Sequence, residues 1–151
     1  MKRLILGIVT CLALIGQVQA LTIDARVGNL NDPKVCANIR RADAEARLHI
    51  TDSETVFNNL YEQRPKKNRL PKGISQTGNT LVITAPNLPP LKFKGAYFPP
   101  GKNGGESDEE YYVYVHAFEK YHLIAVEYAH DSYDYVLVDK TTLKLFMVDR
   151  S

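Results

Sequence analysis

The stretch YYVYVHAFEKYHLIAVEYAHDSYDYVLVDKTTLKLFMV, residues 111–148, decides the fold. It holds most of the chain's nine tyrosines and three of its four histidines. Apolar and aromatic runs alternate with short polar breaks. Residues 111–118 read as a strand, Glu119-Lys120 as a tight turn, and residues 121–128 as the returning strand. His130-Asp131-Ser132 turns the chain again and residues 133–138 form a third strand. Asp139-Lys140-Thr141-Thr142 is a four-residue turn, and residues 143–148 form a fourth strand. Strands joined by links this short pair as antiparallel neighbours, so a β-meander is expected.

Side chains alternate across a sheet, which sorts each strand by face. In the first strand Tyr112, Tyr114, His116 and Phe118 share one face, with Tyr111, Val113, Val115 and Ala117 on the other. In the second, His122, Ile124, Val126 and Tyr128 oppose Leu123, Ala125 and Glu127. In the third, Tyr133, Tyr135 and Leu137 oppose Asp134, Val136 and Val138. Neither face is polar throughout. The sheet is therefore expected to be covered on one side and partly covered on the other, most simply by an N-terminal helix. Tyrosine joins a large ring to high strand propensity and needs one hydrogen bond when buried, so packing accounts for most of these rings. A Tyr/His row left exposed for a partner is the alternative, because aromatic residues concentrate at interface hot spots.

Spacing tests the chemistry these residues allow. His116 and His122 flank one hairpin turn, but His130 lies at the far end of its strand, roughly 25 Å away at the usual rise per residue. One ion cannot take all three, and neither a metal nor another cofactor is expected. The acids of GKNGGESDEE, residues 101–110, lack the alternating ligands of an EF-hand loop. No Gly-x-Ser-x-Gly elbow occurs, and Cys36 has no histidine nearby in sequence. Asp131, Asp134 and Asp139 lie at strand ends, where glycosidase carboxylates can sit, yet aspartate is also a favoured turn residue. No catalytic residue is assigned.

Upstream, residues 80–84 and 91–97 alternate as two further strands around the turn Asn87-Leu88-Pro89-Pro90. Residues 34–48 are mostly helix formers behind Asp32-Pro33, an N-cap and first-turn proline, with Val35, Ile39, Ala42 and Ala46 on one stripe. A second helix is expected over residues 53–61, capped by Asp52 or Ser53, with Val56/Leu60 and Phe57/Tyr61 one turn apart. Residues 21–31 begin as a short extended segment. The fold class is α+β: a C-terminal antiparallel β-meander packed against one or two N-terminal helices, as a single domain over residues 21–151.

Two loops of opposite charge interrupt these elements. RPKKNRLPKG, residues 64–73, carries five basic residues, two prolines and no acid. Residues 101–110 combine glycines with acids and read as a mobile surface loop. The imbalance extends further: residues 21–105 contain 13 basic and 7 acidic side chains (+6), and residues 106–151 contain 4 and 10 (−6). Segregated charge raises association rates, and recognition usually sits on loops held by a rigid sheet. The candidate partner-binding residues are accordingly Lys66, Lys67 and Arg69 in one loop and Asp108, Glu109 and Glu110 in the other. Tyr112, Tyr114 and His116 are possible aromatic anchors beside the acidic loop.

The chain opens MKRLILGIVTCLALIGQVQA. Lys2 and Arg3 form a basic region, residues 4–15 an apolar one, and Val18-Gln19-Ala20 a small-residue cleavage pattern, so residues 1–20 read as a cleaved export signal. A lipoprotein signal acylated at Cys11 is the alternative, but Val9-Thr10 match a lipobox poorly. No membrane-spanning segment is expected after cleavage. Only Cys36 then remains, which removes any intramolecular disulfide; it reads as a small buried residue. The absence of Asn-x-Ser/Thr acceptors and the low cysteine content fit a bacterial periplasmic or secreted protein. Without Lys2 and Arg3 the 19 basic and 17 acidic side chains become 17 against 17, which argues against a general nucleic-acid binder.

The tyrosine-rich strand, the hairpins and Tyr135-Val136-Leu137-Val138-Asp139-Lys140-Thr141-Thr142 together resemble uncharacterised exported bacterial proteins with propeller-blade-like meanders, over residues 80–148. Thr142-Leu143 stands where that pattern usually has glycine. The resemblance implies a fold and carries no catalytic or binding residues; one four-stranded blade cannot close a propeller. Size, export and a β scaffold without a catalytic constellation point to a binding protein rather than an enzyme. The form expected is an inhibitor or immunity protein acting on another protein of the cell envelope. A small envelope hydrolase using acids at the meander turns is one alternative. A passive envelope-assembly component adding through a strand edge is the other.

Overall fold

In the computed structural model, which describes residues 20–27, 29–98, 108–129 and 132–148, the meander is present. It consists of β7 (Asp108–Ala117), β8 (Tyr121–Tyr128), β9 (Ser132–Asp139) and β10 (Leu145–Val148), each antiparallel to the next. Upstream lie β1 (Thr22–Asp24), β2 (Cys36–Ile39), α1 (Arg41–Leu48), α2 (Ser53–Glu62), β3 (Ile74–Thr77), β4 (Thr80–Ile83), β5 (Leu91–Lys94) and β6 (Ala96–Phe98). Two strands extend the meander into a six-stranded sheet of order β2-β10-β9-β8-β7-β6, and the others form a four-stranded sheet of order β1-β5-β4-β3. Residues 1–19 of the expected leader and the turn residues His130 and Asp131 lie outside the described residues, as does most of the acidic loop.

The six-stranded sheet is the middle of three layers. One core joins it to the small sheet, through Ile23, Leu81, Phe93, Tyr112, Tyr114, Ile124, Val126 and Val136. The other core lies beneath the helices, through Ala44, Phe57, Val115, Leu123, Ala125, Tyr135, Leu137 and Phe146. This explains why neither face of the meander is polar: both faces are covered, one by helices and one by a second sheet. The run Leu123-Ile124-Ala125-Val126 is wholly buried for that reason.

Four expectations need correction. Residues 34–48 are not one helix. Asp32 does close a turn, its carbonyl accepting from Val35 N and Cys36 N at 2.9 Å and its carboxylate from Lys34 N at 2.8 Å. The chain then extends as β2, because Cys36 and Ile39 gain burial and β2 gains a parallel ladder against β10. Residues 91–97 are not one strand either. They divide at Gly95 into β5 of the small sheet and β6 of the large one. Only glycine fits between them, since a Cβ at Gly95 would stand 2.7 Å from Glu110 O and 2.7 Å from Tyr111 Cδ1. Asp108-Glu109-Glu110 belong to a strand, not a loop: they pair with Phe98, Tyr97 and Ala96.

The fourth correction concerns faces. Pairing runs Tyr114 with Ile124, but His116 with Leu123 and Ala117 with His122. The extra residue at this bulge, Val115, turns the rest of the strand over. Tyr112 and Tyr114 face the small sheet, whereas Val115, His116 and Phe118 face the helices, and Phe118 sits 6.2 Å from Phe57. The 122 and 116 side chains therefore lie on opposite faces.

α2 starts where its residues require. The Asp52 carboxylate accepts from Thr55 N at 3.2 Å, Phe57 is buried, and Val56, Leu60 and Tyr61 pack beside it. Among the described residues no helix is long and apolar enough to cross a membrane.

Candidate functional site

β6 pairs with β7 only as far as Glu110, while β7 continues to Ala117. Beyond that point the segment leaving α2 passes from the helix layer to the small sheet. A cleft of about 730 Å³ lies there. Its first wall is the basic segment after α2, its second the β3–β4 hairpin, and its floor is formed by Tyr111 and Val113 of β7.

The first wall is anchored at Arg64. Its Nη1 donates to Tyr61 O at 2.9 Å, its guanidinium lies 4.0 Å over the Tyr61 ring, and Nη2 is 3.9 Å from the Glu127 carboxylate. The Tyr61 hydroxyl also donates to Glu127, and the Tyr61 ring stacks on Tyr133 at 4.6 Å. Burial raises the Tyr61 pKa, and the hydrogen bond and charge of Glu127 raise it further, so the phenol keeps its proton. Glu127 thus meets both Tyr61 and Arg64 through one carboxylate oxygen and ties the segment to β8. Leu70 packs into the core between the sheets, and Arg69 N donates to Lys66 O at 2.8 Å, which closes a 3-10 turn over Lys67–Arg69. Between these anchors Lys66 and Lys67 project as exposed cations. Among the described residues neither lies within 4.0 Å of a carboxylate.

The second wall presents amides. A two-residue turn, Gly78-Asn79, joins β3 and β4, and glycine supplies its left-handed φ of 58°. Asn79 Nδ2 donates to Gly95 O at 2.8 Å, and Gln76 Nε2 donates to Tyr112 O at 3.2 Å. Carbonyl oxygens only accept, which fixes both amides with nitrogen toward β6 and β7. Each keeps its own oxygen as an acceptor. The cleft therefore offers Arg64, Lys66 and Lys67 on one side, with the carboxylates of Glu62 and Glu127 also in its lining, and neutral amides on the other.

Of the residues singled out in sequence, Lys66, Lys67 and Tyr114 line the cleft; Arg69 is exposed on the same segment but does not line it. Glu109 and Glu110 are half-buried strand residues, and Glu110 accepts from Tyr112 Oη at 2.5 Å. Asp108 is the first residue of that strand. Tyr112 and Tyr114 are each 1 % exposed and belong to the inter-sheet core; Tyr114 borders the cleft, but neither ring is open as an aromatic anchor. Burial, then Glu110, raises the Tyr112 pKa; burial raises that of Tyr114 to about 12. His116 is half-buried against Phe118 at 5.0 Å, with its pKa lowered by burial and then by Lys140. Sequence reasoning missed Glu127, Gln76, Asn79 and Tyr111. Only Glu127 carried a signal: a lone acid in an otherwise buried run needs a partner.

Of the turn aspartates, the two that are described, Asp134 and Asp139, do not converge. Asp139 accepts from Thr141 N and Thr141 Oγ1 at 2.8 Å and from Thr142 N at 2.9 Å. Partial burial works against its charge, but these hydrogen bonds outweigh that and hold its pKa below the ordinary value. Asp134 lies five residues away along β9, about 17 Å at the usual rise and beyond the spacing of any glycosidase pair. Among the described residues no three His, Cys, Asp or Glu side chains are grouped to hold a metal ion. No protein-family model matches the chain, and no curated protein or solved structure matches it either.

Proposed function

We propose that this chain is a small exported binding protein that captures another protein of the cell envelope through the cleft beside β7. The specific form we favour is an inhibitor or immunity protein, which acts by covering an acidic segment of its partner. One observation carries the reading: Lys66 and Lys67 stand as exposed cations on the wall of a preformed cleft, on a segment tied down at Arg64 and Leu70. Holding two like charges side by side costs free energy, and an anionic partner recovers it. Pre-organisation of that wall lowers the ordering cost of binding.

The test is site-specific photocrosslinking in the producing cell. A photoreactive residue in place of Lys67 is expected to trap one stoichiometric protein adduct. The same residue in place of Lys144, exposed beside β10 three strands from β7, should trap none. Replacing Lys66, Lys67 and Arg69 together by alanine should then slow association with the trapped protein and flatten its salt dependence. Equal trapping from both positions, no adduct at all, or turnover of a cell-wall substrate by the purified chain would each defeat the proposal.

A further inference from the structure

Building on that reading of the cleft, we infer that its ligand is a short acidic peptide bound in extended form. Its carboxylates lie against Lys66 and Lys67, and its main-chain N–H groups point to the amide oxygens of Gln76 and Asn79. The two walls ask for different chemistry in one ligand. The Lys66/Lys67 wall needs negative charge. The amide wall offers acceptors for main-chain N–H groups, because one N–H of each amide is held by Tyr112 O or Gly95 O and this fixes which way the oxygens of Gln76 and Asn79 are turned. A bare inorganic anion satisfies the first wall only and leaves most of a 730 Å³ cleft empty.

The spacing of the acceptors argues for a peptide. Gln76 is pinned beside Tyr112, and Asn79 is pinned through Gly95, whose backbone lies against Glu110. The β7 residues beside these two anchors, Tyr112 and Glu110, are two residues apart, about 7 Å at the rise of a strand. Along an extended chain the N–H groups on one edge recur every second residue, with that same repeat. Gln76 Nε2 on Tyr112 O already occupies the place where a neighbouring strand's N–H would sit, so the side chains of the hairpin relay the pattern of the β7 edge. Val113 and the Tyr111 ring beneath give an apolar floor for the peptide's Cα and Cβ groups.

Binding is read by fluorescence anisotropy on the purified full chain with a dye-labelled N-acetyl tetraglutamate amide. Saturable binding is expected, weakened roughly ten-fold when Lys66 and Lys67 are both replaced by alanine. Both lysines are exposed, and a melting curve verifies that the variant folds. A depsipeptide of the same length and charge, with alternate amides replaced by esters, should bind roughly five-fold more weakly in one of its two registers. Tetragalacturonate, which offers the charge without the peptide repeat, and inorganic phosphate should displace the label poorly. The inference is overturned if the ester and amide peptides bind alike in both registers. It also fails if tetragalacturonate or phosphate competes as well as unlabelled peptide, or if no peptide saturates. Those results leave a Lys67 crosslink to a cellular protein untouched. Peptide binding without such a crosslink would instead fault the proposed function alone.

Discussion

Replacing Gly95 by alanine loads the point where β5 of the small sheet runs directly into β6 of the large one. The added Cβ would stand 2.7 Å from Glu110 O, 2.7 Å from Tyr111 Cδ1 and 3.2 Å from Tyr111 Cα. The shortest of these falls roughly 0.8 Å inside the ~3.5 Å optimum for non-bonded heavy atoms. Two of the three obstacles are backbone atoms of a strand paired on both sides, so they cannot rotate away. Overpacking costs about 1–3 kcal/mol, and an obstacle of this kind puts the expectation at the upper end, about 3 kcal/mol. Gly78→Ala is the control: φ is 58° and nothing lies within 4 Å of the new Cβ, so only the left-handed penalty of about 1 kcal/mol applies. Urea denaturation of the two variants and the parent gives both numbers from midpoints and slopes. A thermal scan should show Gly95→Ala melting roughly 10 °C lower. A loss below about 1 kcal/mol, or one smaller than that of Gly78→Ala, would refute the packing argument.

Other expectations follow from single side chains. Burial, and then Lys140, depress the His122 pKa from 6.5 to about 4, so the unfolded chain takes up this proton first as pH falls. Its contribution is complete above pH 6.5 and drains away between pH 6.5 and about 4; for a half-buried ring it amounts to about 1–2 kcal/mol. His116 shifts in the same direction. Urea midpoints across this range should slope less in His122→Leu, and equal slopes would reject the assignment. Asp139→Ala removes the acceptor for three donors of the β9–β10 turn and should cost about 1–2 kcal/mol at pH 7. Because the folded pKa is depressed, that deficit should fade as pH falls through it, and a pH-independent deficit would argue against a charged acceptor. Tyr61→Phe deletes the hydroxyl that donates to Glu127 and should cost about 1 kcal/mol. Amide exchange in residues 64–70 should quicken, while unchanged protection there would show that Arg64 alone fastens the segment.

How much of this could be seen in the sequence depends on the range of the interaction. The meander strands and α2 declared themselves through period, caps and turns, because hairpins and helix stripes are local. β2 did not. Asp32-Pro33 and the helix formers behind it describe the neighbourhood correctly, yet a ladder to β10 outweighs them. β3 was missed because Ile74–Thr77 carries one buried residue and little periodicity. The bulge at Val115 has no composition signal, and it alone moved His116 away from the face of Tyr112 and Tyr114. Lys66 and Lys67 were legible as charge on a proline-bounded segment. The amide wall was not, since Gln76 and Asn79 acquire meaning only when the hairpin is laid against β7.

The two strands nearest the N-terminus enter the sheets in parallel, β1 beside β5 and β2 beside β10. No hairpin can place a parallel strand, so each must wait for a partner synthesised later. For β2 the wait is nearly the whole chain, from Cys36 to its partner Leu145. Until residues 145–148 leave the ribosome, Cys36 and Ile39 have no sheet to complete. Contacts so distant in sequence are slow to form and leave the early segment unclaimed while synthesis proceeds. The topology thus works as a timer: β2 can take its place at the edge of the large sheet only after β10 has been made.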